Sequence, residues 1–278
     1  MAGYIGSKSS VTLVDGYTEA EADAEFVNDP NGAITVSGSN VGIGTTSPSG
    51  SGLHIKKDTS ATTNELLRLS NSAGSTTDGV KLVMEVANTS GNGAEIGTVR
   101  DGGSFNPYMY FSTSAGVGSN PVERMRIDAT GAVTMPNQPA FLAHGNAASY
   151  HSVTSLGGAG TYIPFSNAVT NIGNQYNSSN FRFSAPVAGM YHFSYDIYTR
   201  TGTATEDIYS RFRVNNSSNK GYAYFYNQTG SEIHHTLTDS INIYLNAGDD
   251  LGITINGNAN SDIYLGFEEA RFSGYLIG

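Results

Sequence analysis

The sequence predicts an all-β protein, an elongated β-rich shaft with a short N-terminal helix and a C-terminal β-sandwich head. Three observations carry this. Gly contributes 34 of 278 residues while charged residues make up only 14%, against roughly a quarter in ordinary soluble domains. That balance suits short strands joined by many turns, because Gly, Asn, Asp and Ser each supply a specific turn conformation. From Ala140 onward apolar and polar residues alternate with period two, and only Thr18 to Asn28 has helical spacing.

In that segment Thr18 and Glu21 form a capping-box pattern, Asp29-Pro30 stops the helix, and Tyr17, Ala20, Ala24 and Val27 share one face. A helix this short is marginal alone in water. It packs either on its own chain or on copies of itself, the first pointer to a trimer. After Pro30 come short β-like runs. Asn31-Gly32-Ala33-Ile34-Thr35-Val36 is echoed by Thr130-Gly131-Ala132-Val133-Thr134-Met135, each preceded by an Asp. Between them, strands are expected at Leu66-Leu67-Arg68-Leu69, Val80 to Val86 and Tyr108 to Phe111. Apolar content is thin here, so the hydrophobic faces are expected to be buried against neighbouring copies. Pro136-Asn137-Gln138-Pro139 reads as an extended linker. The expected division is residues 1–30 for attachment, 31–136 for the shaft and 137–278 for the head.

In the head, Tyr191, Phe193, Tyr195 and Ile197 alternate with His192, Ser194 and Asp196; Ile241, Ile243 and Leu245 follow the same rule, as do Leu251, Ile253, Ile255 and Ile263, Leu265, Phe267. Alternation places one face of each strand in a core and the other towards solvent or a partner. Strands at this spacing, without helices between them, indicate a sandwich.

Cysteine is absent, which excludes disulfides, thiolate metal sites and Cys nucleophiles. The net charge of −10 and pI near 4.9 argue against nucleic acid and anionic membranes as partners. Met1 to Lys8 lacks the pattern of a signal peptide, and no window has the apolar length of a membrane span. The expectation is synthesis in a reducing cytoplasm, no membrane insertion, and stabilisation by oligomerisation.

Three pieces of the head carry a family likeness: Ile163-Pro164-Phe165 leading to Asn171 through Asn177, Phe181 through Ser194 with Ala185-Pro186-Val187-Ala188-Gly189-Met190-Tyr191 at its centre, and Leu245-Asn246-Ala247-Gly248-Asp249 with the terminal Phe272-Ser273-Gly274-Tyr275-Leu276. In order and spacing they resemble the complement 1q/tumour-necrosis-factor jelly roll. That resemblance implies a ten-strand jelly roll assembled as a homotrimer. No Gly-X-Y stalk precedes it. Gly16 to Asp23, Asn40 to Pro48 and Glu123 to Gly131 instead resemble segments of bacteriophage tail fibres of marine phage type. The combined resemblance implies a virion protein made in the bacterial cytoplasm: a non-enzymatic, receptor-binding adhesin, joined through its N-terminus to other tail or baseplate proteins, whose head meets a bacterial surface glycan. The alternatives are a depolymerising tailspike with glycosidase activity and a secreted complement 1q/tumour-necrosis-factor-like ligand.

Several residue groups carry candidate chemistry. Glu268-Glu269 are adjacent carboxylates; strand neighbours point to opposite faces, so they cannot flank one glycosidic bond. Asp196, Glu206 and Asp207 remain as acids that folding could gather. His234-His235 cannot both reach one ion, although a threefold axis could collect three copies of either. Asp249, Asp250 and Asp262 are expected in turns as hard oxygen donors for Ca2+, and the jelly-roll resemblance implies calcium at a trimer apex; ordinary acidic turns are the alternative. Gly157-Gly158-Ala159-Gly160 and Gly42-Ile43-Gly44 read as turns, and Asn177-Ser178-Ser179 and Asn227-Gln228-Thr229 match glycosylation acceptors. Tyr222, Tyr224 and Tyr226 fall on one strand face opposite Ala223 and Phe225. They pack along a trimer interface, stack on sugar rings or belong to the core. Receptor loops are expected at Thr201 to Thr205, with Thr203 and Thr205, and at Asn256 to Asn260, with Asn256, Asn258 and Asn260. Three chains would carry about −30 charges, so global attraction to an anionic surface cannot drive binding.

Overall fold

The computed structural model describes residues 34–37, 40–43, 45, 53–56, 66–71, 78–86, 93–102, 106–116, 118–146, 149–156, 160–203, 205–257, 260–266 and 269–278. The helix expected over Thr18 to Asn28 lies outside them. Among the described residues the protein is all-β, with no helix. The chain divides into two compact units, residues 1–73 and 74–278.

In the first unit β1 (Ile34–Ser37) and β2 (Asn40–Ile43) pair antiparallel, and β3 (Leu53–Ile55) pairs parallel with β2. Leu66 to Leu69, expected as a strand, has no regular structure and is exposed. Arg68 interrupts the apolar run.

The second unit opens with a five-stranded antiparallel meander: β4 (Gly79–Glu85), β5 (Gly93–Arg100), β6 (Pro107–Thr113), β7 (Val122–Ile127) and β8 (Val133–Thr134). Its last turn shows the local chemistry of the Asp-Ala-Thr-Gly segment. The Asp128 carboxylate accepts the backbone N–H groups of Thr130 and Ala132 at 2.8 and 2.9 Å and the Thr130 hydroxyl at 2.7 Å. Those donors hold its pKa below the usual carboxylate value. Gly131 closes the turn at φ 88°, where a side chain would be strained.

The register sorts this sheet into two unlike faces. Leu82, Ile96, Phe111 and Met125 lie opposite one another in a row across four strands, Thr98, Met109, Ile127 and Val133 in a second, and Met84, Ala94, Thr113 and Val122 in a third. The reverse face carries Lys81 paired to Glu95 at 2.5 Å, Arg126 paired to Glu123 at 2.8 Å, and the Arg126 guanidinium 3.7 Å over the Tyr108 ring.

The connection to the head is a tight turn rather than the extended linker expected. The Gln138 N–H donates to the Met135 carbonyl at 3.1 Å, with Pro136 at the second position of the turn, where its fixed φ is favourable. Asn137 donates to the Glu123 carbonyl and Gln138 to the Leu276 carbonyl, tying the turn to both neighbouring strands.

The head is a two-sheet sandwich. One sheet runs β10 (Tyr150–Ser152), β20 (Ser261–Tyr264), β15 (Gly189–Thr201), β21 (Ala270–Leu276), β9 (Ala140–His144) and β12 (Asn167–Ile172), with β18 (Ile233–Leu245) paired to β15. The other runs β13 (Tyr176–Asn177), β14 (Arg182–Ser184), β19 (Asp250–Gly257), β16 (Glu206–Val214) and β17 (Ser218–Asn227), with β11 (Thr161–Tyr162) on β19. Between them Phe141 stacks on Tyr176 and Phe183 at 4.7 and 5.3 Å and meets Phe272 edge-on at 4.8 Å. Tyr191, Phe193, Tyr195 and Ile197 of β15 point into this layer, as the alternation required. Two buried hydroxyls find partners: Tyr176 donates to the Phe165 carbonyl, and Tyr195 bonds Ser210 at 2.8 Å. Desolvation raises both phenol pKa values. Every buried hydrophobic side chain among the described residues lies at or beyond Phe141.

Candidate functional site

Strand direction fixes the two ends of the head. The chain arrives at Pro139 beside Leu276, at the end where β15 begins with Gly189. β15 spans 13 residues, about 40 Å at roughly 3.3 Å per residue. Its far end, Thr201, is where the β15–β16, β17–β18 and β19–β20 connections gather. Gly202 N–H donates to the Asn260 carbonyl at 2.9 Å, joining two of the expected receptor loops. The buried Asn227 side chain joins the third. Its amide donates to the Gly202 and Ser231 carbonyls at 2.9 and 2.7 Å, and its oxygen accepts from Thr229. An amide so committed is unavailable as a glycosylation acceptor. Thr203, Thr205 and Asn260 are exposed at this end, and Asn258 lies outside the described residues. Asn256 is not in the loop: it sits in β19, paired with Tyr209.

The three calcium candidates do not converge within one chain. Asp249 ends the β18–β19 turn, where the Asn215 side-chain amide at 2.7 Å and the Asn246 N–H at 2.8 Å lower its pKa. Asp250, the first residue of β19, pairs with Arg182 at 2.9 Å. Asp262 is in strand β20 rather than in a turn, paired to Arg200 at 2.5 Å. The eight-residue β19 separates Asp249 from the far end by about 26 Å. Among the described residues no group of three His, Asp or Glu side chains is placed to hold a metal ion.

The acids considered for catalysis lie in different layers. Asp196 faces outward from the first sheet, paired to Arg271 at 3.1 Å. Glu206 faces the interior at 2% exposure, and Asp207, its neighbour, faces outward from the second sheet. Glu268 lies outside the described residues, and the Glu269 carbonyl accepts the Tyr198 N–H. The histidines split the same way: His234 is exposed beside Tyr150 and Glu232, whereas His235 turns inward, its ring 3.7 Å from the Phe225 ring. Burial pushes the His235 pKa down to about 4.

Tyr222, Tyr224 and Tyr226 share the outer face of β17 and are 51, 47 and 42% exposed in the single chain, so none belongs to its core. Tyr222 and Tyr224 stack at 5.5 Å, and Tyr209 of β16 closes on Tyr222 at 5.2 Å. The Arg211 guanidinium lies 4.6 Å from the Tyr222 centroid and 5.1 Å from that of Tyr209. The same face continues through Thr254 and Asn256 to Arg213, Tyr162 and Arg182. Sequence reading missed Tyr209, Arg211, Arg213, Tyr162 and Arg182. The alternation Tyr209-x-Arg211-x-Arg213 was a visible signal for three of them; the other two come from distant strands.

The model of the family described as C1q domain matches residues 145–277. Solved structures similar to the chain include the globular domain of zebrafish complement 1qA protein, at 16% identity over 51% of this chain and 98% of that chain with a TM-score of 0.36. Another is the Eiger TNF of S. frugiperda, at 12% identity over 51% and 94% with a TM-score of 0.40. The family match and the two-sheet sandwich coincide on the same stretch. Residues 145–277 fold as a jelly-roll β-sandwich that resembles the C1q domain.

Proposed function

We propose that the chain is one subunit of a homotrimeric, non-catalytic adhesin, a tail fibre of bacteriophage type whose head attaches the virion to a bacterial surface polysaccharide. The observation that carries it is the bare apolar face of the five-stranded sheet. Leu82, Met84, Ile96, Met109, Val122 and Val133 are all exposed, and among the described residues no second layer buries them. A contiguous apolar patch of this kind marks an association surface, and further copies of the same sheet are its natural cover. The likeness of Asn40 to Pro48 and Glu123 to Gly131 to fibre segments supports the virion setting. So does a head whose chain arrives at one end and whose loops gather at the other. Three heads on one fibre convert weak sugar contacts into avidity. Domains of C1q/TNF type are generally binding domains, and the divergence of Asp196, Glu206 and Asp207 gives no support to a depolymerase.

The C1q match favours a second reading, a complement 1q/tumour-necrosis-factor-like ligand for a protein receptor. Sedimentation equilibrium of the full chain and competition for phage adsorption separate the outcomes. A mass of three chains and blocked adsorption are expected for the fibre. A single-chain mass at micromolar loading overturns the trimer, and unimpeded adsorption at saturating protein overturns the adhesin.

A further inference from the structure

The outer face of the second head sheet gathers three arginines in a chain that has few cations, beside the carboxylates of Asp250, paired to Arg182, and Asp207, opposite Tyr226. Only 14 Lys and Arg residues stand against 24 acids, yet Arg182, Arg211 and Arg213 share this one face. Register places Arg213 and Arg182 on either side of Gly252, and Arg211 opposite Thr254. With strands about 4.8 Å apart and alternate residues about 6.6 Å apart, the three Cα atoms fall within roughly 12 Å. Arg182 has a carboxylate partner, Asp250. The Arg213 guanidinium donates to the Gly160 and Asn216 carbonyls. The Arg211 guanidinium has no hydrogen-bond or ion-pair partner among the described residues and rests on the Tyr209 and Tyr222 rings. The Nε atoms of all three, and the Tyr162 hydroxyl among them, are shielded from solvent and have no hydrogen-bond partner. Those atoms, like the buried and unpartnered Asp250 Oδ1 beside them, lie out of reach of a ligand; what faces outward is the rest of each half-buried guanidinium, and neither that of Arg211 nor that of Arg213 has a carboxylate partner among the described residues.

We propose that this face binds an acidic polysaccharide, its carboxylates meeting Arg211 and Arg213 and its sugar rings lying along Tyr209, Tyr222 and Tyr224. The proposal rests on the adhesin reading and names the ligand class of that head. Guanidinium forks match carboxylate geometry, and tyrosine rings offer apolar surface beside a wet hydroxyl. The exposed stripe continuing along β17 to Tyr226 suits an extended chain rather than a single small anion. Net charge does not forbid this. At physiological salt the Debye length is about 8 Å, so a local cluster of cations governs contact while distant acids are screened.

The test uses the full chain on immobilised polygalacturonate, neutral dextran and polyphosphate. Polygalacturonate is expected to retain it, dextran not, with retention weakening as salt rises. Arg211→Gln, which breaks no side-chain hydrogen bond or ion pair among the described residues, is expected to weaken retention about tenfold or more, the scale of one charge-assisted contact. Arg211→Lys recovers part of the loss. Arg271→Gln, the same charge change on the other sheet, leaves retention unchanged. Should Arg211→Gln fail to fold, the exposed Tyr224→Ser reads the same platform. Retention by polygalacturonate with both variants equal to wild type overturns this site and leaves the adhesin standing. Polyphosphate binding as tight as polygalacturonate overturns the carboxylated class. Loss of all glycan binding, together with unimpeded phage adsorption, overturns the adhesin itself.

Discussion

Tyr162 lies flat against Gly252: a methyl group built on Gly252 would stand 2.8 Å from two carbons of the Tyr162 ring and 2.9 Å from the Phe181 carbonyl oxygen. The absence of a side chain in β19 is what lets the ring settle between Arg182 and Arg213. Gly252→Ala must displace either a ring or backbone, the overpacking that costs about 1–3 kcal/mol. Thermal denaturation is expected to show that loss, with weaker acidic-glycan retention in the folded fraction. An unchanged midpoint would mean the ring moves freely and is no part of a built surface.

The meander's apolar face sets a second expectation. Leu82 and Ile96 are directly opposed on β4 and β5 and exposed at 50 and 37%. Placing charge on both, as Leu82→Lys with Ile96→Lys, adds like charges side by side and would bury them in any subunit contact. The double variant is expected to sediment as a single chain, against the three chains proposed for wild type. A single-chain fold that persists is expected too, because every hydrophobic core side chain described belongs to the head.

His235 makes stability fall in acid. Its folded pKa, about 4, lies below the ordinary 6.5 because burial against Phe225 disfavours the charged ring. The unfolded chain therefore binds more protons between those values. The contribution of the neutral ring is complete above about pH 6.5 and is lost as pH falls towards 4. His235→Phe keeps a ring on Phe225 and removes the titration. Midpoints measured from pH 7 to 4 should decline less steeply for that variant than for wild type.

Glu206 is buried with neither carboxylate oxygen hydrogen-bonded. A buried polar group without a partner opposes folding. Glu206→Leu, of similar size, removes both unpartnered oxygens and is expected to raise stability by about 1 kcal/mol or more in denaturant unfolding. A drop instead would show that the carboxylate is held by a group another copy or a cation brings.

Much of the architecture was readable before folding. The period-two runs at Tyr191 to Ile197, Ile241 to Leu245 and Leu251 to Ile255 are strands in β15, β18 and β19, because alternation is a local consequence of the pleat. The Tyr222, Tyr224, Tyr226 stripe is local in the same way. Leu66 to Leu69 misled because apolar content by itself does not make a strand. Asp262 and Asn256 were misassigned to turns and loops because boundaries between short strands depend on which neighbour supplies hydrogen bonds.

Sequence by itself determined the alternating faces, the turn chemistry of Asp128 to Gly131, the missing cysteines and the acidic total. Tertiary structure alone decided that Arg182 of β14, Arg211 and Arg213 of β16 and Tyr162 of β11 converge on one surface while Asp249 and Asp262 part to opposite ends. The physical reason is that side-chain direction along a strand is set by the two neighbouring residues. Which strands lie side by side is set instead by hydrogen-bond register between segments up to 135 residues apart, as Ala140 and Tyr275 are, and no local pattern encodes that.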